Sequence, residues 1–118
     1  MTYIDGFVLG VAEADRDKFI EHAQIVDAIF IAHGALRVVE AWEDDVADGT
    51  QTDFRRAVAA KPGERIVFAW IEWPSKAVRD EAMPKAMADP RMTAAPAMPF
   101  DGKRMIFGGF TPVVELGA

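Results

Sequence analysis

The chain of 118 residues contains no cysteine, one tyrosine, two histidines and a single serine, Ser75. Without cysteine there is no disulfide framework, no thiolate nucleophile and no zinc–sulfur site, a composition suited to a reducing compartment. A lone serine where a helix cap is wanted, with neither histidine in evident reach, leaves no Ser-His-Asp arrangement. His22 and His33 fall on one predicted helix about 16 Å apart along its axis, too far to share an ion, so no metal is expected. The acidic loop Asp44, Asp45, Asp48, Gly49 also fails as a calcium loop, because aligning its glycine puts Arg55 where the bidentate glutamate belongs. Gly108-Gly109 lacks the further glycines and following helix of a dinucleotide fingerprint, and no cofactor is expected.

No apolar run approaches the roughly 18 residues that a bilayer span requires, and the opening M-T-Y-I-D-G-F has no basic n-region. These features predict a cytoplasmic protein without a membrane partner. Positive charge is scarce: 13 Lys and Arg face 19 Asp and Glu, for a net charge of -6. The basic residues are scattered rather than striped, which argues against nucleic acid as a partner.

The length suits one domain, residues 1–118, and half of the residues are apolar, enough to build a core. Arg65–Trp73 is apolar in both of its alternating phases, Val67, Ala69 and Ile71 against Ile66, Phe68 and Trp70, so it reads as a strand covered on both faces. A first strand is expected over residues 2–12, with Phe7, Leu9 and Val11 on one side and Gly6 and Gly10 in the other phase, where a backbone or helix is expected to approach. Phe19, Ala23, Val26, Phe30 and His33 recur at helical spacing and predict a helix from Ala14 to His33, closed by Gly34.

Strand composition returns at residues 35–43, and an acidic surface loop follows. Thr52 or Asp53 then caps a short helix over Phe54–Ala60, unless the strand continues there. Ser75 caps a second long helix to Ala88, kinked at Pro84. Residues 93–103 read as an ordered loop, Met83, Met87, Met92, Met98 and Met105 as core filler, and Arg104–Glu115 as the last strand, loosened at Gly108-Gly109.

This order predicts an α+β, ferredoxin-like βαββαβ domain: a four-stranded antiparallel sheet with two helices on one face. Two helices cover only one face, and a second copy of the chain is the simplest cover for the other. Charges within strands mark candidate sites, since a charge on a buried sheet face is paired or used. Val38, Glu40 and Trp42 share one phase of their strand, and Phe68, Trp70 and Glu72 one phase of theirs. Antiparallel pairing is expected to bring both carboxylates and both tryptophans to one side, as an aromatic-lined pocket. Glu40 and Glu72 are its candidate acid/base groups, with Arg37, Trp42, Phe68, Trp70 and Arg104 as ligand-binding candidates. The alternative is that the glutamates pair with Arg37, Arg79 or Arg104, and Asp5 and Arg104 carry the same two readings.

G-A-L-R-V-V-E-A-W (34–42), D-D-V-A-D-G followed by T-D-F, V-F-A-W-I-E-W-P-S-K (67–76), D-P-R-M (89–92) and M-P-F-D-G-K-R-M-I-F-G-G-F (98–110) together resemble the YbaA-like family, domain of unknown function 1428, within the dimeric α/β-barrel superfamily. The resemblance implies a βαββαβ subunit whose sheet packs on that of a partner, and it brings no established reaction. Relatives in the wider superfamily include cofactor-free monooxygenases, isomerases and haem-handling proteins. The expectation is therefore a homodimer that binds a small apolar or aromatic molecule, with cofactor-free acid/base or monooxygenase-type chemistry. The alternative is a non-catalytic binding or interaction module.

Overall fold

The structure, a computed structural model, describes residues 1–117. Four strands are present, β1 (Tyr3–Ala12), β2 (Arg37–Trp42), β3 (Glu64–Trp73) and β4 (Ile106–Phe110). They alternate with helices α1 (Arg16–Ala32), α2 (Phe54–Ala57), α3 (Lys76–Met87) and α4 (Pro90–Ala94). The strands form one antiparallel sheet in the order β2-β3-β1-β4, the ferredoxin-like arrangement expected. β3 is an inner strand, paired along its whole length with β1 and over Val67–Glu72 with β2.

Local signals placed most elements within a few residues. A single 3-10 turn, Glu13–Asp15, precedes α1. Asp53 rather than Thr52 caps α2, accepting from the Arg56 N–H at 2.8 Å. Ser75 caps α3 by accepting from the Val78 N–H at 3.1 Å, and the helix continues across Pro84 to Met87. Two expectations need correction. Residues 93–103 are not all loop, since α4 reaches Ala94 behind its cap Asp89. β4 stops at Phe110 instead of Glu115, just before Pro112, which has no N–H to donate to a ladder.

One face of the sheet carries α1 and α3. Tyr3, Ile71 and Trp73 meet Ile29, Phe30, Ala82 and Ala86 in one buried cluster, and Leu9, Val11, Val67 and Ala69 meet Phe19 and Ala23 in another. Gly109 lies beneath the Tyr3 ring, so close that a Cβ there would fall 2.1 Å from the tyrosine oxygen. The expectation that a backbone or helix approaches Gly6 and Gly10 is not met: among the described residues, the nearest atoms to a Cβ at these positions belong to the Phe110 ring and the Glu64 side chain.

The other face is bare over most of its area. The α2 region covers one end of it, where Val58 packs on Val8 and Ile66. Elsewhere Phe68, Ile106 and Phe110 are 47%, 45% and 62% exposed. The chain is accordingly a slab, 38 × 38 × 24 Å, with a radius of gyration of 15.0 Å. A compact domain of this length has about 13.5 Å.

Under α3, Asp5 is 3% exposed and fully engaged. The Trp73 indole donates to it at 2.9 Å, and Arg79 donates through two nitrogens, at 2.8 Å to Oδ1 and 3.1 Å to Oδ2. The Arg79 guanidinium also lies 5.2 Å from the Tyr3 ring centre, tying α3 to the sheet. Of its two readings from sequence, Asp5 takes the paired one. Asp5→Ala strands both donors in a buried setting, and we expect a loss of roughly 3–5 kcal/mol in urea denaturation. A loss below about 1 kcal/mol would show that the pair does not anchor α3.

Candidate functional site

The register of β2 on β3 decides which side chains meet. Glu40 pairs with Ala69 and Trp42 with Val67, whereas Arg37 pairs with Glu72, Val39 with Trp70 and Ala41 with Phe68. Directly paired residues share a face. Val38, Glu40 and Trp42 therefore stand with Val67, Ala69 and Ile71 beneath α1, while Phe68, Trp70 and Glu72 stand on the bare face with Arg37. The expected pocket with both glutamates and both tryptophans on one side does not form. The phase within each strand was right, but the phase between strands follows the ladder, and a shift of one residue inverts it.

Beneath α1 the two buried clusters do not close on each other, and a cleft of about 500 Å³ lies between them. Phe7 and Leu9 of β1, Val38 and Glu40 of β2 and Ala69 and Ile71 of β3 form its floor. Phe19, His22, Ala23, Val26, Asp27 and Phe30 of α1 form one wall, and Met92 with the segment Ala95–Met98 and Phe100 forms the roof. Trp70 borders the cleft from its strand position but keeps its ring beside Phe68, 5.9 Å between centres on the bare side. A smaller cavity of about 340 Å³ adjoins it between Arg16, Phe19, Gln24 and Trp42, and shares Asp27 and Glu40. Arg16 lies over the Trp42 ring at 5.5 Å. Met87, Met92, Met98 and Met105 line the large cleft; Met83, Met92 and Met105 pack against the buried clusters as expected of core filler, whereas Met87 and Met98 are more than half exposed, and for these two that reading is corrected.

Polar groups in the cleft are few and adjacent. Asp27 of α1 and Glu40 of β2 lie within hydrogen-bonding reach of each other. Glu40 keeps contact with solvent at the cleft mouth while protein crowds its carboxyl. Loss of hydration, and after it the neighbouring Asp27 charge, push the Glu40 carboxyl up to about 9. Loss of hydration also raises Asp27, against the opposing pull of Glu40 and His22. Two carboxyls so close retain a proton between them where separate ones would be ionised.

Both histidines act on the roof. The His22 ring, 9% exposed, has Nδ1 3.0 Å from the Pro96 carbonyl oxygen. A carbonyl only accepts, so Nδ1 donates. His33 Nε2 lies 2.9 Å from Asp89 Oδ2, at the cap of α4. Asp89 is held below the usual carboxylate range by hydrogen bonds from Arg91 and then from His33. Residues too far apart to share an ion thus hold two ends of one covering segment.

The remaining candidates lie elsewhere. Glu72 accepts from the Trp70 indole at 2.9 Å and lies 3.9 Å from Arg37 on the bare face. Arg104 is occupied by Glu64, with two contacts of 2.7 Å, and by Asp101 at 3.1 Å, and it also donates to the Ala59 carbonyl. Hydrogen bonds from Arg104, foremost among several favourable contacts, lower Glu64 to about 2. Of the residues singled out from sequence, only Glu40 lines the large cleft with a polar side chain, and Trp42 joins it through the adjoining cavity. Asp27 and His22 were missed as site residues. Their signal was present: both interrupt the apolar stripe of α1, one residue from Val26 and Ala23 respectively.

A family model described as "Protein of unknown function (DUF1428)" matches residues 2–102. The chain is 52% identical over 116 residues to the uncharacterized protein YbaA of Escherichia coli K12, covering 98% of this chain and 99% of that one. The match to YbaA of Shigella flexneri has the same identity and coverage. Among solved structures, a dimeric ferredoxin-like protein from an uncultured marine organism aligns over 100% of both chains, with a TM-score of 0.51 and 12% identity. That likeness bears on the fold alone.

A carboxyl whose folded pKa exceeds its unfolded value binds its proton more tightly when folded. Its contribution to stability is complete below the unfolded value, 4.5 for Glu40, and is lost as pH rises towards about 9. Glu40→Gln removes the group that must ionise against this environment. We expect the variant to gain melting temperature relative to the parent as pH goes from 5 to 9. A gap between parent and Glu40→Gln that stays constant across this range would refute the assignment.

Proposed function

The chain belongs to the DUF1428 family of YbaA-like proteins, and from that premise we propose that it is a cytoplasmic homodimer that binds a small apolar or aromatic molecule in the cleft beneath α1. The observation that carries this reading is the cleft itself: about 500 Å³, walled by phenylalanine, methionine and aliphatic side chains, with its polar groups gathered at one place. Ligand sites are built in this way, whereas a space that served packing alone would be filled. Glu40 is the acid/base group of any chemistry performed there, since crowding by the protein and the neighbouring Asp27 lift its carboxyl well above the ordinary carboxylate range, to about 9, so that it holds a proton to give at neutral pH. Glu72 lies on the opposite face and has no part in it.

Dimerisation is supported by the bare face, where Phe54, Phe68 and Trp70 run edge to face across solvent-exposed sheet. Apolar surface of this kind marks an interface, and a second copy brings the same surface to meet it. No helix among the described residues is long and apolar enough to cross a membrane. A non-catalytic binding module is the second reading. It draws on the pairing of Arg37 with Glu72 and of Arg104 with Glu64, which leaves few free charges for chemistry.

Two measurements test the proposal. In sedimentation velocity at micromolar concentration we expect a dimer, and Phe68→Arg should convert it to a folded monomer; a parent chain that sediments as a monomer ends the dimer reading. In thermal-shift titrations with small aromatics, ligand at about 100 times its Kd should stabilise the chain by roughly 2.7 kcal/mol. Ala23→Phe, which fills the cleft from α1, should abolish that response without unfolding the protein. If the response persists in Ala23→Phe, the molecule binds elsewhere.

A further inference from the structure

The polar wall of the cleft is built on two carboxyls, Asp27 and Glu40. Asp27 and Glu40 approach from opposite sides, one on the helix and one on the sheet, and retain a proton between them, which leaves their other oxygens free to accept. His22 stands in the same wall, nine-tenths buried. Nδ1 donates to Pro96, and Nε2 has no hydrogen-bond partner among the described residues. No buried side-chain nitrogen or oxygen among those residues lacks a partner, so an unpartnered Nε2 is one that the cleft reaches. Neither lysine nor arginine lines the large cleft; Arg16, in the adjoining cavity, lies over the Trp42 ring.

Resting on the ligand-binding reading above, we infer that the cleft selects apolar molecules by a hydrogen-bond-donating head, a hydroxyl or an ammonium group, and excludes carboxylates and phosphates. A donor head placed between Asp27 and Glu40 satisfies carboxyl oxygens that otherwise have only water at the cleft mouth. An anionic head meets two carboxyls among apolar walls, with no lysine or arginine to offset the repulsion. Hydroxyl and ammonium heads share the donor chemistry and differ in one respect: an ammonium draws the shared proton off the pair and releases it to the buffer, whereas a hydroxyl releases none.

Four probes of one shape separate the possibilities: naphthalene, 2-naphthol, 2-naphthylmethylamine and 2-naphthoate, titrated calorimetrically into the intact dimer at pH 7 in two buffers of different ionisation enthalpy. We expect 2-naphthol, the amine or both to bind at least tenfold more tightly than naphthalene, and 2-naphthoate more weakly than naphthalene. Proton release, seen as a difference between the buffers, marks the ammonium as the matched head. Glu40→Gln, and separately Asp27→Asn with Glu40→Gln, should bring the donor preference to within about twofold of naphthalene and let 2-naphthoate bind, while naphthalene affinity holds as the control for an intact cleft. Naphthoate binding the parent as tightly as naphthol overturns the inference, as does a donor preference that survives in both variants. If all four probes bind the parent alike, the cleft is a ligand site and the selectivity is wrong. If none binds, the ligand-binding reading itself fails.

Discussion

The parity of the β2–β3 ladder is the constraint on which the rest of this structure depends. Because Glu40 is opposite Ala69 and Glu72 is opposite Arg37, the sheet sorts its charges into two environments. Glu40 goes beneath α1, where hydration is lost and Asp27 waits; Glu72 goes to the face where Arg37 and the Trp70 indole hold it. A slip of one residue would exchange these environments and bury Phe68 and Trp70 in place of Val67, Ala69 and Ile71. The apolar floor fixes the ladder, and the ladder fixes which carboxyl is chemically unusual.

Helix α1 performs two tasks with one face. Phe19, Ala23 and Phe30 join the buried clusters, while His22, Asp27 and His33 interrupt the same face with polar groups that each find a use. The two histidines fasten the segment from Asp89 to Pro96, and Asp27 meets Glu40. The cleft stays open because its roof is this irregular segment, hung from α1 by hydrogen bonds, rather than a long helix packed on the sheet. The methionines along that roof suit such a place, since an unbranched, polarizable side chain conforms to varied apolar surfaces.

The two faces of the sheet are stabilised differently. Under α3 the donors of Trp73 and Arg79 converge on Asp5, so a charge is buried with its hydrogen-bonding capacity used. On the bare face the charges lie at the margins, Arg37 with Glu72 at one end and Arg104 with Glu64 at the other, around apolar side chains that, among the described residues, only the α2 region covers in part. A sheet hydrophobic on both sides is stabilised by a layer on each, and the described residues supply a full layer on one side alone.

The sequence by itself determined the four strands, the two long helices and their order. Period two in Arg65–Trp73, the 3.6-residue stripe from Phe19 to His33, the cap at Ser75 and the presence of only two long helical patterns are all local features, set by backbone geometry and side-chain chemistry a few residues apart. They sufficed for the ferredoxin-like topology and for the bare face. Only the tertiary structure decided which strand phases coincide, that Arg104 is used by Glu64 and that Asp27 stands opposite Glu40. Those are pairings between residues 13 to 40 positions apart, and a free energy of meeting that exists only once the ladder has closed leaves no periodic trace in the chain. The polar residues within the α1 stripe were legible as anomalies, but what they face depends on the strand beneath, and that is a property of the fold.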